Sequence, residues 1–151
     1  TSEVIELSDS PTPRTTVFTI QVEFGDCDPA RIVWFPNFFR WIDASARHFF
    51  ISAGVPPWHE TAATWGIIGT PIVNTQAKFV QTTTYGDRLD IHTCVTHWGN
   101  KSFTFLHRVM RDTELIMECT EVRLFAGAKE GKVPGIVGLP IPDEVRRLCQ
   151  A

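Results

Sequence analysis

"PNFFRWIDASARHFFISAG" (Pro36–Gly54) decides how the rest of the chain must be arranged. Within it Phe38, Trp41, Ile42, Ser45, Phe49 and Ala53 recur at spacings of three and four. On a helix that periodicity gives one stripe of apolar or small side chains. Pro36 suits a first helical position, where its missing N–H is not needed, and Gly54 followed by Pro56 and Pro57 stops the run. Trp34, Phe35, Phe39 and Phe50 would overfill a single seam. Either a sheet curls around this helix or a partner subunit covers the remainder.

Outward from the helix, the chain reads as strands. "TTVFTIQVE" (Thr15–Glu23) alternates, with Phe18, Ile20 and Val22 on one side and Val17, Thr19, Gln21 and Glu23 on the other. Strand character returns in "TPIVNTQAKFVQTT" (Thr70–Thr83), "DRLDIHTCVTHW" (Asp87–Trp98), "KSFTFLHRVMRD" (Lys101–Asp112) and "ELIMECTEVRLFA" (Glu114–Ala126). Short breaks such as Tyr85-Gly86-Asp87 separate them, and Gly99-Asn100 predicts a two-residue hairpin. "IPDEVRRLCQ" (Ile141–Gln150) predicts a short C-terminal helix. One antiparallel sheet of five strands must bury the one long helix against a face, which is an α+β two-layer domain. Residues 1–14 carry polar residues and prolines with no sustained period and read as a tail; 15–151 form a single domain.

The 151 residues suit one core, and a formal charge of −3 argues against a general nucleic-acid or membrane surface. An anionic ligand must therefore be met by local basic residues. No apolar run approaches the roughly 18 residues that span a bilayer, and no basic stretch leads into an apolar one near the first residue, so a cytoplasmic protein is expected. Cys27, Cys94, Cys119 and Cys149 show no CxxC spacing and are expected to be reduced thiols. His48, His59, His92, His97 and His107 have no ligand spacing, so each reads as a surface or satisfied core residue and no metal site is expected.

Just before the helix, "EFGDCDPARIVWFPNFF" (Glu23–Phe39) sets two carboxylates and a thiol at a strand-to-helix junction. Asp28 precedes Pro29, which biases its backbone to an extended form and lets the side chain project from the loop end. The unpaired N–H groups of the helix N-terminus follow within a few residues, carrying partial positive charge. A carboxylate facing such donors could attack or activate water toward a carbonyl; an aspartate before a turn is also an ordinary turn residue. Asp26, after Gly25, reads as a turn or supporting residue. Cys27 lacks a helper histidine nearby and reads as a small buried residue. Asp43 and Arg47 have the spacing of an ordinary surface pair.

"EFGDCDPARIVWFPNFFRWIDASAR" (Glu23–Arg47) resembles the signature region of the Pseudomonas-type 4-hydroxybenzoyl-CoA thioesterases, within the hot-dog acyl-CoA thioesterases. The likeness continues through "GVPPW" (Gly54–Trp58), "GIIGTPIV" (Gly66–Val73), "KSF" (Lys101–Phe103) and the final "LC" (Leu148-Cys149). It implies a hot-dog fold, the sheet wrapped around the central helix, and hydrolysis of an aroyl-CoA thioester such as 4-hydroxybenzoyl-CoA. Asp28 would be nucleophile, through an anhydride, or general base, and the backbone N–H of Phe35 would polarise the carbonyl. Asp43 could meet a ring substituent, Thr70 could place its hydroxyl in the acyl pocket or merely enter a strand, and Trp34 could wall the ring. Lys101, then Lys129 and Lys132, would meet the CoA nucleotide.

Two positions depart from that pattern. Gly99-Asn100 stands where relatives carry arginines, and Arg31 stands where glycine usually follows "DPA", adding a cation beside the loop. The resemblance further implies no metal or redox cofactor, CoA being part of the substrate, and a homo-oligomer: a dimer at least, with sites at the subunit boundary, and a tetramer by likeness. The alternatives are a non-hydrolytic acyl-CoA binding protein and a dehydratase. A dehydratase wants a histidine paired with an acid near this loop, and the loop contains none.

Overall fold

The structure is a computed structural model that describes residues 13–131 and 135–151. Of the expected tail only Pro13 and Arg14 fall within it, and Lys132 lies outside the described residues. Helix α1 (Pro36–Ala53) has Pro36 in its first turn and ends at Gly54, whose φ of 87° is the left-handed conformation glycine adopts freely. The Gly54 N–H bonds back to the carbonyls of Phe50 and Ile51. Strands β1 (Thr15–Gln21), β2 (Ile72–Phe79), β3 (Arg88–Trp98), β4 (Ser102–Arg111) and β5 (Glu114–Leu124) form one antiparallel sheet in the order β1-β3-β4-β5-β2. This is the hot-dog arrangement expected from the sequence.

Alternation decides which side chains enter the core. Leu89, Ile91, Thr93 and Val95 on β3 and Phe103, Phe105, His107 and Val109 on β4 are buried, while their neighbours in sequence are less so. The apolar ones form two clusters along α1. One gathers Val22, Val33, Phe38, Trp41 and Ile42 with Leu89, Val109 and Met117. The other gathers Ala46, Phe49 and Phe50 with Phe103, Phe105 and Phe125. Phe50 meets Phe103, Phe105, Phe125 and Trp58 edge-on at centroid distances of 5.5–5.9 Å, the geometry the ring quadrupole favours. Between the clusters lies a layer of polar residues, including Ser45, Thr93, His107 and Glu121, all buried.

Several elements depart from expectation. Helix α2 (Trp58–Trp65) lies between Pro57 and the left-handed Gly66, too short to show a hydrophobic period. β6 (Ala126–Lys129) pairs with β7 (Gly135–Gly138) in a small second sheet, so the last expected strand stops at Leu124, not Ala126. The glycines there left no alternating signal. β1 ends at Gln21 and β2 spans only Ile72–Phe79. The β3–β4 connection has three residues, Gly99, Asn100 and Lys101, rather than two, and is closed by the Gly99 N–H donating to Ser102 O at 2.7 Å. Helix α3 (Asp143–Gln150) forms within the expected stretch. Arg14 is tied down, donating to Ser52 O at 2.7 Å at the end of α1.

Every residue of β2 is exposed, including Ile72, Val73 and Phe79. β2 is also a sheet edge, pairing only with β5. An apolar edge of this kind is a surface that folded chains ordinarily cover.

Candidate active site

The strand-to-helix junction sorts its two carboxylates into different jobs. Phe24–Asp26 makes one 3-10 turn, and Asp26 Oδ2 accepts the N–H of Glu23 at 2.9 Å. Asp26 Oδ1 accepts from Arg40 at 2.9 Å, while the Asp26 carbonyl accepts the Trp34 N–H and the Asn37 side-chain amide. Asp26 therefore staples the loop to α1. Asp28, Pro29, Ala30 and Arg31 form a tight turn, with the Arg31 N–H donating to Asp28 O at 2.8 Å, aspartate first and proline second as such turns favour. Asp28 Oδ1 accepts the Ala30 N–H at 2.9 Å, and Oδ2 has no hydrogen-bond partner among the described residues. Half-buried Asp28 faces a cleft of about 530 Å³ shared with Phe24, Cys27, Arg31 and Tyr85.

Arg31 has a φ of 68°, a left-handed backbone in a residue other than glycine. Its carbonyl accepts from Thr84 Oγ1 at 2.6 Å, which helps hold that conformation. Cys27 is half-buried rather than fully buried, its sulfur 3.9 Å from Glu23 O. Underneath, the Val33 N–H bonds to Thr83 O. Thr83 and Arg111 both bond the carboxylate of Asp87. Burial pushes the Asp87 pKa up, but the Thr84 N–H, the Thr83 hydroxyl and Arg111 together bring it below the ordinary value.

Phe35 caps the N-terminus of α1, and no acceptor among the described residues takes its N–H. The donor that the chemistry asks for is thus available at the helix end. The rings of Trp34 and Phe35 are exposed, and Phe35 meets Phe79 at the far end of β2 edge-on at 6.4 Å.

Asp43 lies two turns further along α1, about 12 Å along the axis at the usual rise. It borders a second cavity, of about 420 Å³, with Arg47, Phe50, Trp58, Ile68, Thr70 and Arg123. Its ion pair is with Arg123 at 3.3 Å, not with Arg47. Thr70 contributes its carbonyl, which accepts from Arg123 at 3.2 Å. Arg123 pairs across strands with Ile72, so this cavity borders the start of β2 as Phe35 borders its end.

Arg123 is the outer end of a buried chain. Its guanidinium grips Glu121, with nitrogen–oxygen distances of 3.0 to 3.2 Å. Glu121 Oε1 lies 2.7 Å from His107 Nε2, Nδ1 lies 2.7 Å from Thr93 Oγ1, and Thr93 lies 2.7 Å from Ser45 Oγ on α1. Burial lowers the His107 pKa, outweighing the pull of Glu121 toward protonation. Burial alone would raise Glu121, but the His107 hydrogen bond and the Arg123 charge leave it below its ordinary value. Imidazole is thus neutral and the carboxylate ionised. Nε2–H donates to Glu121, Nδ1 accepts the Thr93 hydroxyl, and Thr93 accepts that of Ser45, so both ring nitrogens and both hydroxyls in this row find a partner.

Besides Trp34 and Phe35 at the start of α1, the expected site residues among those described fall into three groups. Asp28 and Arg31 share the cleft; Asp43 and Thr70 meet around Arg123; Lys101 and Lys129 are exposed near the β6–β7 hairpin, where the Lys101 side chain lies over Gly138. His107 is the satisfied core residue that was one of its two expected readings, but the sequence reading missed its link to Glu121 and Arg123. Their signal was present: all three occupy inward positions of alternating strands, where an ionisable group needs a reason to be. Among the described residues no cluster of His, Cys, Asp or Glu is placed to hold a metal ion, and no helix is long and apolar enough to cross a membrane.

A profile of the thioesterase-like superfamily matches residues 22–148. The chain is 49% identical over 141 residues to 4-hydroxybenzoyl-CoA thioesterase of Pseudomonas sp. (strain CBS-3), covering 90% of this chain and 98% of that protein. A variant of 4-hydroxybenzoyl-CoA thioesterase complexed with 4-hydroxybenzoyl-CoA superposes with a TM-score of 0.85 at 42% identity, covering 90% of this chain and 99% of that one. A gentisyl-coenzyme A thioesterase superposes with a TM-score of 0.73 at 30% identity, covering 87% and 99%.

Proposed function

The chain belongs to the thioesterase-like superfamily and is a thioester hydrolase, and we propose that it cleaves a hydroxylated aroyl-CoA, 4-hydroxybenzoyl-CoA or a near relative, to the free acid and CoA. The single observation that carries this reading is the free Asp28 oxygen set a few residues ahead of the unpaired N–H of Phe35. In this reading the thioester carbonyl points its oxygen at the Phe35 N–H, which stabilises the negative charge that develops there. The Asp28 carboxylate either attacks the carbonyl carbon directly or takes a proton from an attacking water. The carbon–sulfur bond breaks and CoA leaves as thiolate and takes up a proton; where Asp28 has attacked, water then cleaves the resulting anhydride, restoring the carboxylate and releasing the acid, and where Asp28 has activated water, the water oxygen is already in the acid. No metal or redox group is needed for that sequence of steps.

The ring would occupy the apolar walls of the cavity bounded by Phe50, Trp58 and Ile68, with its hydroxyl donating to Asp43. Trp34 would flank the entrance, and Thr70 would line the polar end. Lys101 and Lys129, with Arg31 nearer the loop, are the cations available to the nucleotide; Lys132 belongs to the same proposal. The cleft at Asp28 and the cavity at Asp43 are separate in one chain; the cavity adjoins the start of the exposed strand β2 through Arg123, and Phe35, seven residues after Asp28, packs on Phe79 at its end. A homodimer that covers β2 would close them into one site, and a tetramer follows by likeness. Four free cysteines suit a reducing cytoplasm.

A dehydratase would need its histidine–acid pair in reach of substrate, and His107 and Glu121 are 0% and 2% exposed. The test is CoA release, followed with a thiol reagent, over a panel of aroyl and fatty acyl thioesters. Turnover of hydroxybenzoyl-CoA well above that of palmitoyl-CoA is expected. The reverse order would contradict the aroyl assignment.

A further inference from the structure

We infer that the buried chain from Ser45 through Thr93, His107 and Glu121 to Arg123 is a positioning device for Asp43, fixing that carboxylate in the cavity so that it selects an acyl ring carrying a hydrogen-bond donor. This rests on the aroyl-thioester reading above and adds residues that touch no reacting atom.

The chain crosses the sheet through β3, β4 and β5 and meets α1 at both ends, at Ser45 and at Asp43. It is buried everywhere except at one place: the Arg123 side chain is 5% exposed and that of Asp43 is 65% exposed, at the cavity wall. Burying a guanidinium and a carboxylate is strongly unfavourable before they pair, and apolar residues of similar size often give an equal or more stable core. A device retained at that cost, and ending at a single cavity, is explained by what it holds there.

The holding is geometric. Arg123 is planar, and its donors are committed on two sides, to both oxygens of Glu121 and to the Thr70 carbonyl. Glu121 cannot swing because His107 holds it, and His107 cannot turn over because Thr93 and Ser45 complete its hydrogen bonds. Nη2, the nitrogen that also bonds Glu121, reaches Asp43 Oδ1 at 3.3 Å, leaving Oδ2 with no partner among the described residues. An exposed helical aspartate would otherwise sample several rotamers. Fixed in one, it rewards a donor such as a phenol hydroxyl and leaves a ring without one facing an unpaired carboxylate.

The test compares kcat/KM for 4-hydroxybenzoyl-CoA and benzoyl-CoA in the wild-type enzyme and in Arg123→Lys and Glu121→Gln. A lysine keeps the charge but cannot bridge Glu121, Thr70 and Asp43 at once; the glutamine keeps shape but releases the guanidinium. Either variant is expected to lower the preference for the hydroxylated substrate by about tenfold or more, mainly through KM. In an Asp43→Asn background the same changes should lower it no further. A folded variant that keeps the wild-type preference, or that loses activity equally on both substrates, overturns the inference. If Arg123→Lys does not fold, Glu121→Gln is read in the same way. Failure of the wild-type enzyme to hydrolyse either thioester would instead overturn the aroyl assignment.

Discussion

Arg40 on α1 holds Asp26 in a 2.9 Å ion pair, with the Asp26 side chain 16% exposed. Two residues on, Asp28 gives one carboxylate oxygen to its own turn and keeps the other free. In the proposed reading the same residue type serves as a staple at one position and as a reagent two residues on, and substitutions should separate the two.

Asp26→Asn weakens the ion pair and the bond to the Glu23 N–H but leaves the loop backbone bonded. A loss of about 0.5–1 kcal/mol in stability is expected, seen as a small drop in melting temperature, because half of the pair lies at the surface. Turnover should stay within about tenfold of the wild type, far above that of an enzyme lacking a principal catalytic group.

Gly127 on β6 has no room for a side chain: a Cβ there would stand 2.6 Å from the Gly66 carbonyl oxygen and 2.8 Å from Leu139 Cδ1. Gly127→Ala should destabilise the fold by about 1–3 kcal/mol through overpacking. Gly25→Ala, with nothing within 4 Å of the added carbon, serves as the contrast in the same denaturant titration.

His107 gives the pH dependence its sign. In the folded chain its pKa is depressed by burial, so between that value and the ordinary value of about 6.5 the unfolded chain binds the extra proton. Stability is therefore full above pH 6.5 and falls as pH drops through it, by up to about 1.4 kcal/mol per pH unit. Glu121, also lowered, adds a loss of the same sign below about pH 4.5. Chemical denaturation at pH 7.5 and 5.5 should show this fall, and His107→Gln should show less of it.

The long helix was legible because its stripe, its leading proline and its closing glycine all agree, and the sheet strands were legible from alternation. α2 and the β6–β7 hairpin were not, because eight residues hold too few turns for a period and glycines carry no side-chain pattern. The junction with Asp28 stood out through its motif. The chain ending at Arg123 did not, because Ser45, Thr93 and His107 come from α1, β3 and β4 and become neighbours of the Glu121–Arg123 pair on β5 only through the register that sets Thr93 opposite His107 and brings Glu121 to the same face.

Exposed β2, with Phe35 packed on Phe79 at its end, leads to the prediction that the protein is at least a dimer. Sedimentation at micromolar concentration should show a dimer or tetramer, and Val73→Lys with Phe79→Lys should shift it toward monomer with loss of turnover. A wild-type monomer that is fully active would contradict a site completed by a second subunit.

The central claim is that the Asp28 carboxylate performs the chemistry, and steady-state kinetics of Asp28→Asn on 4-hydroxybenzoyl-CoA test it most directly. The substitution keeps size and removes the nucleophile or base, so kcat should fall by roughly a thousandfold or more. Binding of the thioester, measured by calorimetry, should survive, since the ring and nucleotide contacts lie elsewhere. Cys27→Ala, run beside it, should keep most of its turnover. An Asp28→Asn enzyme with near-normal kcat would contradict the account, and an inactive Cys27→Ala enzyme would move the nucleophile to the thiol.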